Sequence, residues 1–195
     1  MNTTKRAIAN SLKQLMTKKP LSKITVSDIT QNCGVSRMTF YYHFQDIFDL
    51  IGWICEQDIL AEPVRQATYE TWQESFLAIL EAVRANRTFI ESVMRSPVPE
   101  RVERYLLKLT EEMMLDVISA QPESASVSEA NQRFIASFFK HAFAGIILDW
   151  IEDGMRREPE ELVHVTAVVV EGNFLNALRR LDPGGGAGER PKEEH

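Results

Sequence analysis

The residues with the clearest chemical potential lie in one short stretch of the 195-residue sequence, from Val26 to Phe44. It reads VSDITQNCGVSRMTFYYHF, and its glycine separates two runs that each have helical periodicity. With successive residues about 100° apart, Phe40 and Phe44 share one side of the second helix. The other side carries a thioether, a hydroxyl and two phenol rings, from Met38, Thr39, Tyr41 and Tyr42. Two short helices joined by a glycine turn are typical of a helix-turn-helix.

The outward side of this second helix has the chemistry of a DNA-reading surface. Arg37 can bond to guanine or phosphate, the methyl groups of Met38 and Thr39 can contact thymine, and the tyrosine hydroxyls can donate to phosphates. Ser36 is predicted to cap the helix, and the amino end of a helix also favours phosphate. These residues predict a DNA-binding surface.

Two alternatives stay open at this surface. His43 borders the core side of the helix, so it is either a phosphate contact or a packed histidine. Tyr41 and Tyr42 are either exposed for a ligand or part of the core, and their burial decides between the two readings.

The charge distribution supports a polyanion as the partner of the first part of the chain. From Met1 to Leu50 there are seven lysines and arginines against three aspartates, a net charge of +4. The remainder has fifteen basic and twenty-five acidic residues, a net charge of −10. Because the acidic part would repel a polyanion, contact with nucleic acid is expected at the head alone.

Helical periodicity runs through the chain and predicts an all-α fold, with a three-helix head followed by a helical bundle. The head comprises a helix over residues 3–18, a short helix capped by Ser27 that ends at Gly34, and the helix after Ser36. A linking helix runs from Ile47 to near Pro63. The body helices are predicted at residues 71–95, 100–120, 129–155 and 159–181. The predicted domains are a helix-turn-helix at 1–46, the linking helix and body at 47–181, and a disordered tail at 182–195.

Several function classes find little support in the composition. Two isolated cysteines do not make a disulfide framework or a zinc cluster, and no run approaches about 18 consecutive apolar residues. We therefore expect a cytoplasmic protein without metal or cofactor. Glu161 and His164 have the Glu-x-x-His spacing of di-iron bundles, but such sites need a second copy of the motif and the sequence has none. We predict that the chain is not an enzyme.

The segment from Ile24 to Leu50 resembles the DNA-binding head of TetR-type transcriptional regulators. The resemblance rests on Gly34-Val35-Ser36, on Thr39-Phe40-Tyr41-Tyr42-His43-Phe44 and on Leu50. It implies a transcriptional regulator, either repressor or activator. The positions that the resemblance places on bases are Arg37, Met38 and Thr39, and those that it places on the DNA backbone are Thr25, Ser27, Tyr41, Tyr42 and His43. Where the family usually has a lysine, this chain has Ile47, which removes one expected phosphate contact.

The chain also resembles the regulators of dihydroxyacetone kinase operons. The residues concerned are Leu50-Ile51-x-Trp53-Ile54 after the head, and Gly145-Ile146-Ile147-x-x-Trp150-Ile151-x-x-Gly154-Met155 in the body. Members of that group can work as activators with a protein partner. Control by a small molecule and control by a protein are therefore both open.

The family resemblance implies a homodimer on a palindromic operator, formed through the last two long helices. Recognition helices would then lie about 34–36 Å apart, one turn of DNA. The residues proposed for the dimer interface are Ala142, Gly145, Val168, Gly172 and Leu175, and their alternative is an intramolecular core. The residues proposed for an effector pocket are Trp72, Phe76, Phe89, Met113, Phe138 and His141, and their alternative is again plain core. A helical adaptor that binds only proteins is the competing function.

Overall fold

The computed structural model describes residues 2–59, 67–170 and 172–181. Throughout these ranges the regular structure is helical and no β-strand occurs, which confirms the all-α prediction. The helices are α1 (Asn2–Met16), α2 (Val26–Cys33), α3 (Arg37–His43), α4 (Ile47–Ile54), α5 (Trp72–Ala85), α6 (Arg87–Met94), α7 (Glu100–Ser119), α8 (Glu129–Glu152), α9 (Pro159–Val170) and α10 (Asn173–Leu181). The disordered tail predicted at 182–195 lies outside the described residues.

The chain packs as two compact units. The first is drawn from Met1–Pro63 and Ile79–Leu106, and the second from Val64–Ala78 and Leu107–His195. The packing partners of the head therefore include residues well beyond position 46, where the sequence suggested a boundary. The functional boundary at position 46 remains a prediction. The sequence did not indicate these packing partners, because the periodicity of a helix does not show which later helix covers a given face.

The first unit is organised around α1, which packs against α2, α4 and α6. Its stripe of Ile8 and Leu12 is fully buried together with Ile29 of α2 and Leu50 of α4. A buried polar contact adds direction to this packing, because the Ser11 hydroxyl donates to the carbonyl of Ile29 at 2.8 Å. The α1–α2 pair thus forms a fixed base for the helix that follows.

The turn between α2 and α3 has the geometry that the sequence predicted. Gly34 has a φ of +70°, a left-handed conformation that suits glycine, and its N–H donates to the carbonyl of Thr30. The start of α2 differs from the prediction. Its N-cap is Thr25 and not Ser27, because Thr25 and Asp28 have the three-residue spacing of a capping box.

The end of the chain also differs from the prediction. A single helix over 159–181 is wrong, since α9 ends at Val170 and α10 begins at Asn173. Gly172 stands between them with a φ of +76°. Helical residues do not adopt this conformation, so the chain turns there, although the apolar periodicity continues on both sides.

The second unit has a mixed aromatic and aliphatic core in which α8 is central. Phe143, Ile147 and Ile151 of α8 are buried within it. Among the described residues α8 alone is long and apolar enough to cross a membrane by length and composition. Its buried stripe is also what the core helix of a bundle requires, because such a helix must be apolar on its covered side.

The Glu-x-x-His motif is not part of a cluster of metal-binding side chains in the described residues. Glu161 and His164 are both exposed on α9, and the Glu161 carboxylate lies 3.6 Å from the guanidinium of Arg157. Within the described part of the chain, no group of three His, Cys, Asp or Glu side chains could hold a metal ion.

Candidate nucleic-acid interface

Helix α3 is short and is fixed at both ends by hydrogen bonds. At its start, the Ser36 hydroxyl accepts from the Thr39 N–H at 3.0 Å, as the sequence predicted. The same hydroxyl lies 2.9 Å from the Thr39 hydroxyl, so the two side chains share a second hydrogen bond. At its end, the Phe44 N–H donates to the carbonyl of Phe40 at 2.9 Å. A helix of seven residues needs such caps because few of its bonds are internal.

The inner side of α3 is held by the two phenylalanines that the periodicity indicated. Phe40 is fully buried and Phe44 nearly so, and their ring centroids are 5.8 Å apart. Trp53 of α4 packs against Phe44 at 6.0 Å in an edge-to-face arrangement. The Lys5 ammonium of α1 lies 5.4 Å from the centre of the Phe44 ring. Contacts with α1 and α4 thereby fix the rotation of α3.

The outer side of α3 is open to solvent. Met38 is 85% exposed, Tyr42 74% and Tyr41 51%. Ser36 and Arg37 are exposed as well, and Thr39 is half-buried. The reading of Tyr41 and Tyr42 as core residues is therefore wrong. Their large rings remain accessible to solvent, although α1 and α4 pack against the inner side of α3.

His43 lies at the border, as its position on the helix suggested. It is half-buried, with its ring centroid 5.0 Å from that of Tyr42 and 6.4 Å from that of Phe44. These contacts place the imidazole against both sides of α3. Packing and partial access are therefore combined in one side chain.

The start of α2 holds a polar cluster that the sequence reading missed. The hydroxyl of Thr25 donates to Asp28 Oδ2 at 2.7 Å, and the Thr25 N–H donates to the same oxygen at 2.8 Å. The Lys19 ammonium lies 2.9 Å from that oxygen. The hydrogen bond from the Thr25 side chain, followed by the one from Lys19, lowers the pKa of Asp28 from its ordinary 3.8 to about 2. The signal for this cluster was the Thr-x-x-Asp spacing.

This cluster bears on the predicted contacts to the DNA backbone. Both donors of Thr25 are directed to Asp28, so a phosphate bond from Thr25 would have to break one of them. Thr25 itself is exposed, and Ser27 beside it is half-buried.

An apolar groove of about 440 Å³ adjoins the exposed side of α3. Ile47, which stands where the family usually has a lysine, lines it together with Tyr41 and Phe48. The isoleucine therefore packs with apolar neighbours and supplies no cation to this part of the head.

The residues predicted for an effector pocket do not all come together. Trp72 and Phe76 are buried edge-on against Phe143, with centroid distances of 5.4 and 4.8 Å, and Met113 is fully buried in the same unit. Phe89 belongs to the first unit. There its ring lies beneath the Lys13 ammonium at 5.9 Å.

Two of those predicted pocket residues require a correction. Phe138 and His141 are exposed on α8 and do not belong to the buried core, although Phe138 lines an open groove. The His141 Nδ1 lies 2.7 Å from the carbonyl of Ser137, one turn earlier in the same helix. Apolar periodicity placed Phe138 on a face, but the second unit leaves that face uncovered.

The residues predicted for a dimer interface are mostly accessible. Ala142 and Val168 are exposed, Leu175 is half-buried, and a Cβ added to Gly145 would meet no atom within 4 Å. Gly172 has a different role from the close approach predicted for it, because its positive φ forms the turn between α9 and α10.

Around these residues the second unit exposes a set of large apolar side chains, which we term the apolar face. Its members are Phe134, Phe138, Val165, Val168, Val169 and Leu181. Phe134, Phe138, Val169 and Leu181 also line a groove of about 570 Å³. Exposed apolar surface is typical of sites that bind a partner, so this face is a candidate for one.

Comparison with known proteins agrees with this arrangement. The chain is 28% identical over 153 residues to the "HTH-type dhaKLM operon transcriptional activator DhaS" of Lactococcus lactis subsp. lactis (strain IL1403), covering 77% of this chain and 81% of the relative. The solved structure titled "Dihydroxyacetone kinase operon activator DhaS" superposes with a TM-score of 0.69 at 26% identity, covering 93% of this chain and 99% of that one. NalD, a repressor from Pseudomonas aeruginosa, shares the fold, with a TM-score of 0.58 at 16% identity over 90% of this chain and 96% of NalD.

Two family descriptions match along the chain. Residues 70–172 match a "Transcriptional regulator C-terminal region", and residues 3–52 match "Bacterial regulatory proteins, tetR family". The second match spans the capped α2–Gly34–α3 arrangement described above. The chain therefore belongs to the TetR family of bacterial transcriptional regulators, proteins that bind DNA through a helix-turn-helix.

Proposed function

We propose that this regulator binds duplex DNA as a homodimer, with one α3 helix in the major groove of each half of a palindromic operator. The observation that carries the proposal is the division of α3 into a buried side and an exposed side. Phe40 and Phe44 are buried behind it, while Met38 and Tyr42 in front are the most exposed large apolar or aromatic side chains described in the head. The first fifty residues also carry a net charge of +4, which favours a polyanion as the partner.

The contacts divide by chemistry into base readout and backbone positioning. Arg37, Met38 and Thr39 stand on the leading turn of α3 and are proposed to face base edges. Groups with hydroxyl or ring N–H donors are proposed to contact phosphates: Ser27, Ser36, Tyr41, Tyr42 and His43. Thr25 is proposed to position the start of α2 through Asp28, since both of its donors already serve that bond.

The apolar face is the proposed dimer interface. A two-fold operator needs two heads held at a fixed spacing, and a second copy of the chain supplies the same apolar chemistry to cover Phe134 and Phe138. The side chains at Ala142 and Gly145 are small, so helices can approach closely there. The regulator would act in the cytoplasm, where its DNA is.

Regulation through the body is proposed to respond to a small molecule or to a protein partner. Similarity to DhaS, named as an activator of the dhaKLM operon, supports activation of an operon as the output. A reporter placed behind the bound promoter should then rise with the regulator present. A fall in reporter signal would assign repression.

The DNA-binding proposal is tested by selecting duplexes from a random-sequence library with the full chain at low salt. The expected result is a palindromic consensus. Arg37→Ala should weaken binding to the selected duplex by about 5- to 150-fold, because a bidentate contact to guanine is worth about 1–3 kcal/mol. The matched control is Arg104→Ala, which removes the same charge from an exposed position on α7 and should leave affinity nearly unchanged.

Failure would have a clear form. If no duplex is enriched at low salt, the helical adaptor that binds only proteins becomes the better function. If duplexes are enriched but Arg37→Ala and Arg104→Ala bind equally well, α3 is not the reading helix.

A further inference from the structure

The leading turn of α3 presents little hydrogen-bonding capacity besides that of Arg37. Met38, the most exposed large apolar residue described, carries only a thioether, which is a weak acceptor. Thr39 carries a hydroxyl, but it lies 2.9 Å from the hydroxyl of Ser36. The orientation of Thr39 therefore decides which of its two branches meets a ligand.

That orientation is fixed from within the helix. The Ser36 hydroxyl also accepts from the Thr39 N–H at 3.0 Å, so the cap holds Ser36 in place and Ser36 in turn holds the Thr39 hydroxyl. A β-branched side chain has few χ1 rotamers in a helix, and one hydrogen bond is enough to select among them. Oγ1 is engaged by Ser36, so the methyl group is the branch of Thr39 without a hydrogen-bond partner and the one suited to apolar contact.

The major groove offers one apolar group on its base edges, the C5-methyl of thymine. A thioether side chain beside a threonine methyl matches that group better than it matches the donors and acceptors of guanine, cytosine or adenine, because the thioether is only a weak acceptor. The geometry points to recognition of thymine methyl groups by Met38 and Thr39. Arg37 supplies the polar contact beside them. This inference rests on the proposed DNA binding by α3.

Deoxyuridine provides the direct test, because it pairs as thymine does and lacks the methyl group alone. The duplex selected from the random library is resynthesised with deoxyuridine in place of thymidine, first throughout and then one position at a time. At one or two positions in each half-site, the full chain should bind about fourfold more weakly. This corresponds to one buried methyl group at roughly 0.8 kcal/mol.

Variants assign the methyl contacts to residues. Thr39→Ser keeps the hydroxyl for Ser36 and removes the methyl, so it should lose about fourfold in affinity and become insensitive to deoxyuridine at one position. Thr39→Val keeps the methyl and removes the hydroxyl, so it should bind nearly as well as the parent and stay sensitive. Met38→Ala should abolish sensitivity at a second position. Circular dichroism checks that each variant is folded.

The outcomes separate this inference from the function on which it rests. If no duplex is selected, both fail together. If the duplex binds but complete deoxyuridine substitution leaves affinity unchanged, thymine methyl reading is wrong while DNA binding stands. If Thr39→Val loses binding and Thr39→Ser retains it, the hydroxyl reads the base and the inference is again overturned. If sensitivity persists in both Met38→Ala and Thr39→Ser, other residues read the methyl groups and the assignment fails.

Discussion

Two exposed surfaces of this chain differ in their chemistry, and the difference indicates what each one meets. The front of α3 combines aromatic rings that end in hydroxyls with the guanidinium of Arg37 nearby. The apolar face of the second unit carries phenylalanines, valines and a leucine, with no hydroxyl among them. Tyr41 and Tyr42 can thus form hydrogen bonds with a polar ligand, whereas Phe134 and Phe138 can form only apolar contacts with theirs.

The physical reason lies in the cost of covering polar groups. A tyrosine hydroxyl that is covered without a partner loses its bonds to water, so tyrosine suits a surface that meets phosphates or waters. Phenylalanine and valine lose nothing polar when they are covered and gain free energy in proportion to the apolar area removed from water. The same degree of exposure therefore predicts different partners: DNA for the front of α3 and another apolar protein surface for the apolar face.

The largest expected effect tests what holds the first surface in place. Phe40→Ala should reduce the free energy of unfolding by about 3–5 kcal/mol, because it empties a fully buried ring site behind α3. Tyr42→Ala, two residues later, should change it by no more than about 0.5 kcal/mol, since that ring is 74% exposed. Urea denaturation of both variants measures the contrast.

The order of the two variants should be reversed for DNA affinity. At temperatures where both variants are folded, Tyr42→Ala should weaken DNA binding more than Phe40→Ala does. Tyr42→Ala should weaken binding to all duplexes alike, because a contact to phosphate carries no sequence information. Equal unfolding free energies for the two variants would contradict the division of α3 into an anchoring side and a reading side.

The next effect concerns the second surface. Phe138→Glu should weaken dimerisation by roughly 100-fold or more, because burying an unpaired carboxylate at an interface costs several kcal/mol. Sedimentation equilibrium measures the monomer–dimer balance. Leu115→Glu is the matched control: Leu115 is also exposed, but it lies on α7 and outside the apolar face. A Phe138→Glu protein that remains a dimer would show that copies of the chain meet elsewhere.

The two surfaces also differ in how far the sequence could predict them. For α3, a 100° periodicity, a serine cap and a glycine turn were sufficient, because all three are local and the structure keeps each one. For α8 the periodicity placed apolar residues on faces without showing which face is covered. Ala144 is buried and Ala142, two residues earlier, is exposed, although the two are equally small and apolar.

The corrections have a common cause. Trp72 and Phe138 both fitted an interior pocket by residue type, but burial depends on helices distant in sequence, which cover Trp72 and leave Phe138 open. Gly172 fitted a close helix contact by size, and its positive φ instead ends a helix. A glycine in an apolar pattern has both uses, and the backbone conformation alone decides between them.

The smallest effect concerns the polar edge of the first surface, where Asp28 binds Thr25 and Lys19. Because the pKa of Asp28 is lowered to about 2, its ionised form stabilises the folded state above its ordinary pKa of 3.8. This contribution is lost as the pH falls through about 2. Asp28→Asn should therefore be less stable than the parent at pH 7, and the gap between them should narrow as the pH falls below about 4.

Urea midpoints at pH 7 and at pH 3 measure this gap, and the effect is modest because the carboxylate is partly solvated and its ion pair is screened. The matched variant Asp149→Asn removes an exposed carboxylate from α8 and reports the effect of net charge alone. A gap for Asp28→Asn that is as large at pH 3 as at pH 7 would mean that the shape of the side chain, and not its charge, supports the start of α2. The Thr25–Asp28 cluster at the start of α2 would then depend on packing, as the apolar face does. The contrast between the two surfaces would in that case be confined to their exposed side chains.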